Sequence, residues 1–337
     1  MLSGRPLEGT SRDLDLFVDR EGVLDRIHDS AARRLNTLVA GERRSGKTSL
    51  LRVLQQRLAS RFHVVMLDAG LSQDAASFLS LFLFSLEREA ALGRAGTLSN
   101  ARLDLDYSSF ALPVSETERV LTLLDAVRHA IERRERGVVA IVDDLRTAEL
   151  AHRLFGRMRD ELWMLGCTWV VAADSQDRSA LLRPPADAFF ETVIELGPLD
   201  HGDAAELIRR RLADEDADPD LVERLARAGE GNPGRTIELA REVVVHGTPL
   251  GEATSRRTDV RFRAGKLGDS ARRLVDDLLT YGPASASDES LLRRLNWTRA
   301  RATQVFKQLE AEGIVGPVPA RSGGGRKIYG LNLNGET

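Results

Sequence analysis

The stretch GERRSGKTSL, Gly41 to Leu50, constrains this chain more than any other part of it. Its spacing is G-x-x-x-x-G-K-S/T, the pattern of a loop that cradles phosphates. Such a loop offers backbone N–H groups to an anion, and the helix behind it points its positive end the same way. The pattern carries that meaning only between a buried strand and a helix. Both flanks are present. The apolar run TLVA, Thr37 to Ala40, precedes the loop, and Leu50, Leu51, Leu54 and Leu58 recur at helical spacing from about Thr48 to Ala59. Gly41 and Gly46 permit close backbone approach, Lys47 would neutralise the β- and γ-phosphates, and the Thr48 hydroxyl would reach Mg²⁺. Gly41, Arg44, Ser45, Gly46, Lys47, Thr48 and Ser49 are therefore the candidate contacts to ATP.

Mg²⁺ also needs a carboxylate at the end of a neighbouring buried strand. The run VVAIVDD supplies Asp143, the expected metal partner, and Asp144, placed where a carboxylate could orient or deprotonate water. Asp144 and Lys47 are the candidate catalytic residues. The histidines are scattered, and no His or Cys grouping has metal-ligand spacing.

The order of elements predicts a fold. HVVMLDA (63–69), VVAIVDDL (138–145), TWVVAAD (168–174) and FETVIELGPL (190–199) read as further strands, separated by helices such as AASFLSLFLFSLEREAAL and AHRLFGRMRDELWML. Strands without internal alternation, alternating with helices, imply a parallel sheet covered on both faces. Residues 93–117 read as an irregular, polar excursion. After Leu199 the strands stop and three helices follow. The expected architecture is α/β: a parallel-sheet P-loop NTPase core over 1–199, a helical lid over 200–250, a linker over 251–268 and a winged helix-turn-helix over 269–337.

Several motifs together resemble the initiator-type AAA+ and archaeal-type STAND P-loop ATPases. LFVDREGVLDRI, Leu16 to Ile27, is similar to the FVGRE box that opens such proteins, with Asp19 in the place of the usual glycine. The resemblance implies that this box, Val18 included, packs over the adenine. GERRSGKTSLL is similar to the form of the loop in the archaeal-type branch. LGPLDHGDAAELI and GEGNPGR (Gly229 to Arg235) resemble the turn into the lid and the lid motif. By the same resemblance Pro233 and Arg235 would face the phosphates, with ATP between core and lid. The residue that senses the γ-phosphate would be Asp174 or Ser175, and an arginine finger would be Arg178 or Arg183. As a carboxylate, Asp174 is expected to repel phosphate unless it holds water or metal.

The tail has a pattern of its own. Leu291, Leu292 and Leu295 form a short apolar face, Asn296 and Trp297 turn the chain, and Thr298 can cap a helix whose inner face is Ala302, Val305, Phe306 and Leu309. Two strands then flank PARSGGGR. This looks like a winged helix-turn-helix, whose second helix enters the major groove. Arg299, Arg301 and Gln304 are expected at base edges, with Arg326 and Lys327 on phosphates. Between Arg293 and Lys327 lie eight basic residues against Glu310 and Glu312. That local excess is a footprint for double-stranded DNA on a chain whose net charge is only -3.

The lone cysteine, Cys167, excludes an internal disulfide and reads as an inert core thiol. No apolar run approaches the roughly 20 residues of a membrane span, and a cytoplasmic location is expected. The functional expectation is an ATP-binding, Mg²⁺-dependent ATPase that couples nucleotide state to DNA binding, alone or as a homo-oligomer. A signalling switch of the STAND kind, whose tail contacts protein partners, is the alternative. A small-molecule kinase fits the lid form and the tail less well.

Overall fold

A computed structural model describes residues 2, 5–95, 115–145, 148–212, 218–318 and 327–332. The chain divides between Gly197 and Pro198 into two units.

The first unit holds a five-stranded sheet in the order β2-β3-β4-β1-β5, with β1 Thr37–Gly41, β2 His63–Asp68, β3 Val138–Asp143, β4 Thr168–Asp174 and β5 Thr192–Leu196. Every pairing is parallel. The helices are α1 Ser11–Asp15, α2 Glu21–Ala32, α3 Lys47–Ala59, α4 Ala75–Ala95, α5 Glu116–Glu132, α6 Ala148–His152, α7 Arg159–Met164 and α8 Arg178–Leu181. The inner strands β1, β3 and β4 are buried at nearly every position because both faces are covered, so successive side chains enter opposite cores. Leu38, Ala140, Val142, Trp169 and Val171 join α4, α5 and the 148–165 helices on one side. Val39, Ile141, Val170 and Ile194 meet α2 and α3 on the other. Trp169 is fully buried among Phe78, Phe82, Phe155 and Phe189, with ring centroids 5.3–6.4 Å away. Cys167 packs at the edge of this cluster, and burial pushes its thiol pKa upward, as an inert thiol requires.

Two expectations about elements change here. The helix read across AHRLFGRMRDELWML is broken by a π-turn, Arg153–Arg157, in which the Met158 N–H donates to the Arg153 carbonyl at 3.0 Å. The extra residue in that turn allows Leu154, Phe155 and Gly156 all to be buried. The excursion expected over 93–117 is narrower, since α4 runs to Ala95 and α5 starts at Glu116. Its middle lies outside the described residues.

The second unit contains α9 His201–Arg211, α10 Pro219–Ala228, α11 Pro233–Val244, α12 Leu250–Lys266, α13 Asp269–Tyr281, α14 Glu289–Leu295 and α15 Arg299–Ala311. An antiparallel pair follows, β6 Val315–Val318 and β7 Ile328–Leu331. The stretch expected as a linker, 251–268, is almost all helix. Val260 and Ala264 of α12 are buried in one core with Leu274, Leu278, Phe306 and Leu309. Asn296 closes α14 in the left-handed conformation (φ 54), and the Thr298 hydroxyl accepts the Arg301 N–H at 3.3 Å to cap α15. Among the described helices, none is long and apolar enough to cross a membrane.

Candidate functional site

The loop residues, Asp143 and Asp174 all leave the carboxyl ends of parallel strands, where open α/β sheets place ligands. β1 delivers the chain to the loop at Gly41, which pairs in register with Asp174 of β4 and Leu196 of β5. A Cβ on Gly41 would lie 2.9 Å from Ser45 Oγ and 3.0 Å from Leu196 Cβ, so close approach requires glycine here. Arg44 (φ 65) and Gly46 (φ 93) take the left-handed conformation that folds the loop back onto the start of α3. Arg44 does so as an exposed non-glycine residue.

The loop points Lys47 across its own mouth. Its ammonium donates to the carbonyls of Gly41 (2.7 Å) and Glu42 (2.8 Å) and to Asp174 Oδ1 (2.7 Å). Thr48 donates its hydroxyl to Asp143, which also accepts the Asp144 N–H. Burial raises the Asp143 pKa, the neighbouring Asp144 charge adds to that, and the two hydrogen bonds and Lys47 oppose it. Asp144 is exposed and left-handed (φ 54), a conformation that Asp tolerates better than most residues. Ser45 is buried, and its Oγ has no hydrogen-bond partner among the described residues.

These residues fit a magnesium–nucleotide. The orphaned Ser45 hydroxyl, the glycine cradle and the Lys47 ammonium face an anion's requirements, and Thr48 with Asp143 forms a hard-oxygen donor pair. Mg²⁺ is ordinarily held by one or two carboxylates together with phosphate oxygens. No cluster of three or more His, Cys, Asp or Glu that could hold a metal occurs among the described residues.

Other candidates are engaged in ways the sequence did not reveal. Ser49 Oγ accepts the Leu7 N–H at 3.2 Å, and Arg52 donates to the Leu7 carbonyl, so the segment around buried Leu7 is strapped to α3. The one signal for this strap was an isolated leucine in a polar N-terminal stretch. Val18 is buried. Beside it Asp19 and Arg20 are both left-handed, and Arg20 donates to the Gly197 carbonyl at 2.6 Å, tying the box to the end of β5. Arg178 is ion-paired with Glu195 at 3.3 Å, and Arg183 is exposed.

In the second unit, Pro233 is the first residue of α11, and Asn232 caps it by accepting the Arg235 N–H at 3.1 Å. The Arg235 guanidinium pairs with Glu230. Gly231 (φ 70) holds the turn before the helix, where a Cβ would lie 2.4 Å from the Leu199 carbonyl oxygen.

In the tail, Arg299 and Gln304 are exposed. Arg301 donates to Ser270 Oγ at 2.7 Å, and Gln308 to the Leu267 carbonyl at 3.3 Å. That side of α15 therefore lies against the α12–α13 turn. Lys327 pairs with Glu310 at 2.6 Å, which raises the lysine pKa and lowers that of the carboxyl. Arg326 lies outside the described residues.

No protein-family profile matches this sequence, and no curated protein sequence matches it. Solved structures do share the fold. The Orc1 protein of Aeropyrum pernix, solved in complex with DNA, is 18% identical with a TM-score of 0.53, over 94% of this chain and 90% of its own. A Walker-type ATPase of Pyrococcus abyssi is 16% identical with a TM-score of 0.54, over 98% and 97%. At this identity the likeness shows a shared fold, a parallel five-stranded sheet with helices around it.

Proposed function

We propose that this chain binds ATP with Mg²⁺, hydrolyses it, and couples its nucleotide state to duplex DNA binding. The observation that carries the nucleotide reading is the convergence of Lys47, Thr48 and Asp143 at one end of the sheet. Lys47 binds and orients the phosphates, Thr48 and Asp143 hold the cation, and Asp144 accepts a proton from attacking water. The cation, when bound, supplies Lewis-acid stabilisation of the charge that develops on phosphate. The candidate contacts Arg44, Ser45 and Ser49 act through the loop, Val18 through the adenine end, and Pro233 and Arg235 through the lid.

The DNA reading rests on the tail. We read 269–337 as a winged helix-turn-helix, with α14–α15 as the helix pair and β6–β7 as the wing, 1–199 as the core and 200–250 as the lid. In support, α15 is capped and amphipathic and presents Arg299 and Gln304 to solvent. The Aeropyrum pernix neighbour was solved bound to DNA. The alternative, a switch whose tail meets protein, draws on a specific observation: Arg301 and Lys327 already have partners within the chain.

The test is duplex binding by the full chain with and without ATP, after selection of a preferred duplex from a random pool. Arg299→Ala with Arg301→Ala should relax sequence preference. Arg326→Ala with Lys327→Ala should weaken all duplexes alike and lower the salt slope by about 0.9 for each phosphate no longer neutralised. If selection enriches nothing and affinity stays flat between low and physiological salt, DNA binding fails and acidic protein partners become the better reading.

A further inference from the structure

Lys47 is the residue on which phosphate binding depends, and all three of its N–H donors are already in use. An ammonium has three protons. Here they go to two loop carbonyls and to Asp174 Oδ1, at 2.7, 2.8 and 2.7 Å. The carbonyls belong to the loop backbone and are fixed with it. The carboxylate is the displaceable acceptor, since it needs only a rotamer change and is about one-third exposed. Asp174 is itself held beside the loop by backbone structure. It pairs in register with Gly41, and the next residue, Ser175, donates its N–H to the Gly41 carbonyl at 3.1 Å. When Asp174 swings off Lys47, its charge therefore stays in the mouth of the loop.

We propose that Asp174 is a specificity-determining residue that occupies the Lys47 ammonium in place of a phosphate oxygen and discriminates against the terminal phosphate of a nucleoside triphosphate. The inference rests on the phosphate-loop reading and deepens it. A nucleotide that reaches Lys47 must displace the carboxylate. A triphosphate then adds an anionic group next to the carboxylate it has displaced. A diphosphate ends sooner and meets less of that repulsion. A divalent cation between the two groups relieves it, so the discrimination is strongest without Mg²⁺.

The test is equilibrium titration of fluorescent ATP and ADP analogues against the full chain, in EDTA and in Mg²⁺. Asp174→Asn keeps an oxygen that can accept from Lys47 and removes the charge. In EDTA it should tighten the ATP analogue about tenfold or more, the screened value of a like-charge contact a few ångströms apart. The ADP analogue should change by less than about threefold on the same grounds. Unchanged or weaker ATP binding, or an equal gain for both nucleotides, overturns the proposal. If Asp174→Asn does not fold by circular dichroism, the parent protein still decides. In EDTA it should bind ADP more tightly than ATP, and the reverse order overturns the proposal. A parent that binds neither nucleotide, and that Lys47→Ala leaves unchanged, overturns the phosphate-loop reading itself. A parent that binds both while Asp174→Asn changes nothing overturns only the role of Asp174.

Discussion

Replacing Gly41 by alanine tests whether the loop geometry or merely the loop pattern matters. The new methyl carbon would stand 2.9 Å from Ser45 Oγ, 3.0 Å from Leu196 Cβ and 3.5 Å from the Leu196 carbonyl oxygen. Carbon contacts settle at about 3.5–4.0 Å, so two of these must open by about half an ångström or more. Neither neighbour can move freely. Leu196 is buried and locked to Gly41 by the parallel register, and Ser45, within the loop itself, is buried. Overpacking of this kind costs about 1–3 kcal/mol. In a unit of this size each kcal/mol moves the melting temperature by about 2–4 °C, which places the expected loss at about 2–12 °C for the Arg5–Gly197 unit. The same displacement shifts Ser45 and Gly46, so nucleotide binding should weaken with it. Gly251→Ala is the control. It lies in α12 with open space around a new Cβ, and there alanine should be neutral or stabilising by up to about 1 kcal/mol. The measurements are calorimetric melting and titration of a fluorescent ATP analogue. If Gly41→Ala melts with the parent and binds as tightly, the close approach at Gly41 is wrong.

Asp144→Asn should keep nucleotide and Mg²⁺ binding but slow hydrolysis, because an amide cannot accept the proton of water; a turnover rate equal to the parent's removes Asp144 from the mechanism. His63 is half-buried at the start of β2, and burial together with Arg134 and Arg136 depresses its pKa. The unfolded chain therefore takes up the proton first as pH falls below about 6.5, so this residue's contribution to stability is intact above that pH and is lost on acidification. His63→Phe should flatten the fall in melting temperature between pH 7.5 and 5.5, and an unchanged slope would count against the assignment. Asp277 accepts both Arg294 Nε and Nη2 at 2.7 Å while 4% exposed. Asp277→Ala should therefore cost about 3–5 kcal/mol, read as faster hydrogen exchange across α13–α15. Adding Arg294→Met should recover part of the loss, and an exchange pattern that Asp277→Ala leaves untouched would show the pair to be dispensable.

The core was legible because its physics is local and repetitive. A strand buried on both faces is apolar at nearly every position, and TLVA, VVAIV and WVVAA stood out in that way with helices between them. The loop was legible because glycine at 41 and 46 and the pair Lys47–Thr48 serve one demand. Elements held by a thin stripe were harder to see. Among the described residues of α12 the buried apolar positions are only Ala253, Val260 and Ala264, Phe262 is exposed, and most of the remainder is polar or charged, so it read as a linker. The π-turn at Arg153–Arg157 adds one residue to a helix without changing its composition, so periodicity over the segment still looked helical. Pairings between distant residues left no local trace. Asp174 stood out as a charge in an awkward place. That it meets Lys47, 127 positions away, depends on β4 lying beside β1.

The same limit bears on the tail, where a charge count is a count of side chains and not of available charges. The eight basic residues from Arg293 to Lys327 set a ceiling of about 7 on the salt slope, at about 0.9 per phosphate neutralised. Arg294 does not belong in that sum. It is buried against Asp277, stacks on Tyr281 at 4.0 Å, and would leave a bare buried carboxylate if it turned outward. Lys327 can contribute only by giving up Glu310, an exposed pairing of the kind worth little in water, so a phosphate can displace that carboxylate. Arg301 gives one of its five N–H donors to Ser270, a neutral acceptor that leaves its charge available and competes weakly with a guanine edge. The pairs thus sort by burial. The buried one stabilises the α12–α15 core whatever the tail binds. The exposed ones hold long side chains in place until a stronger acceptor arrives.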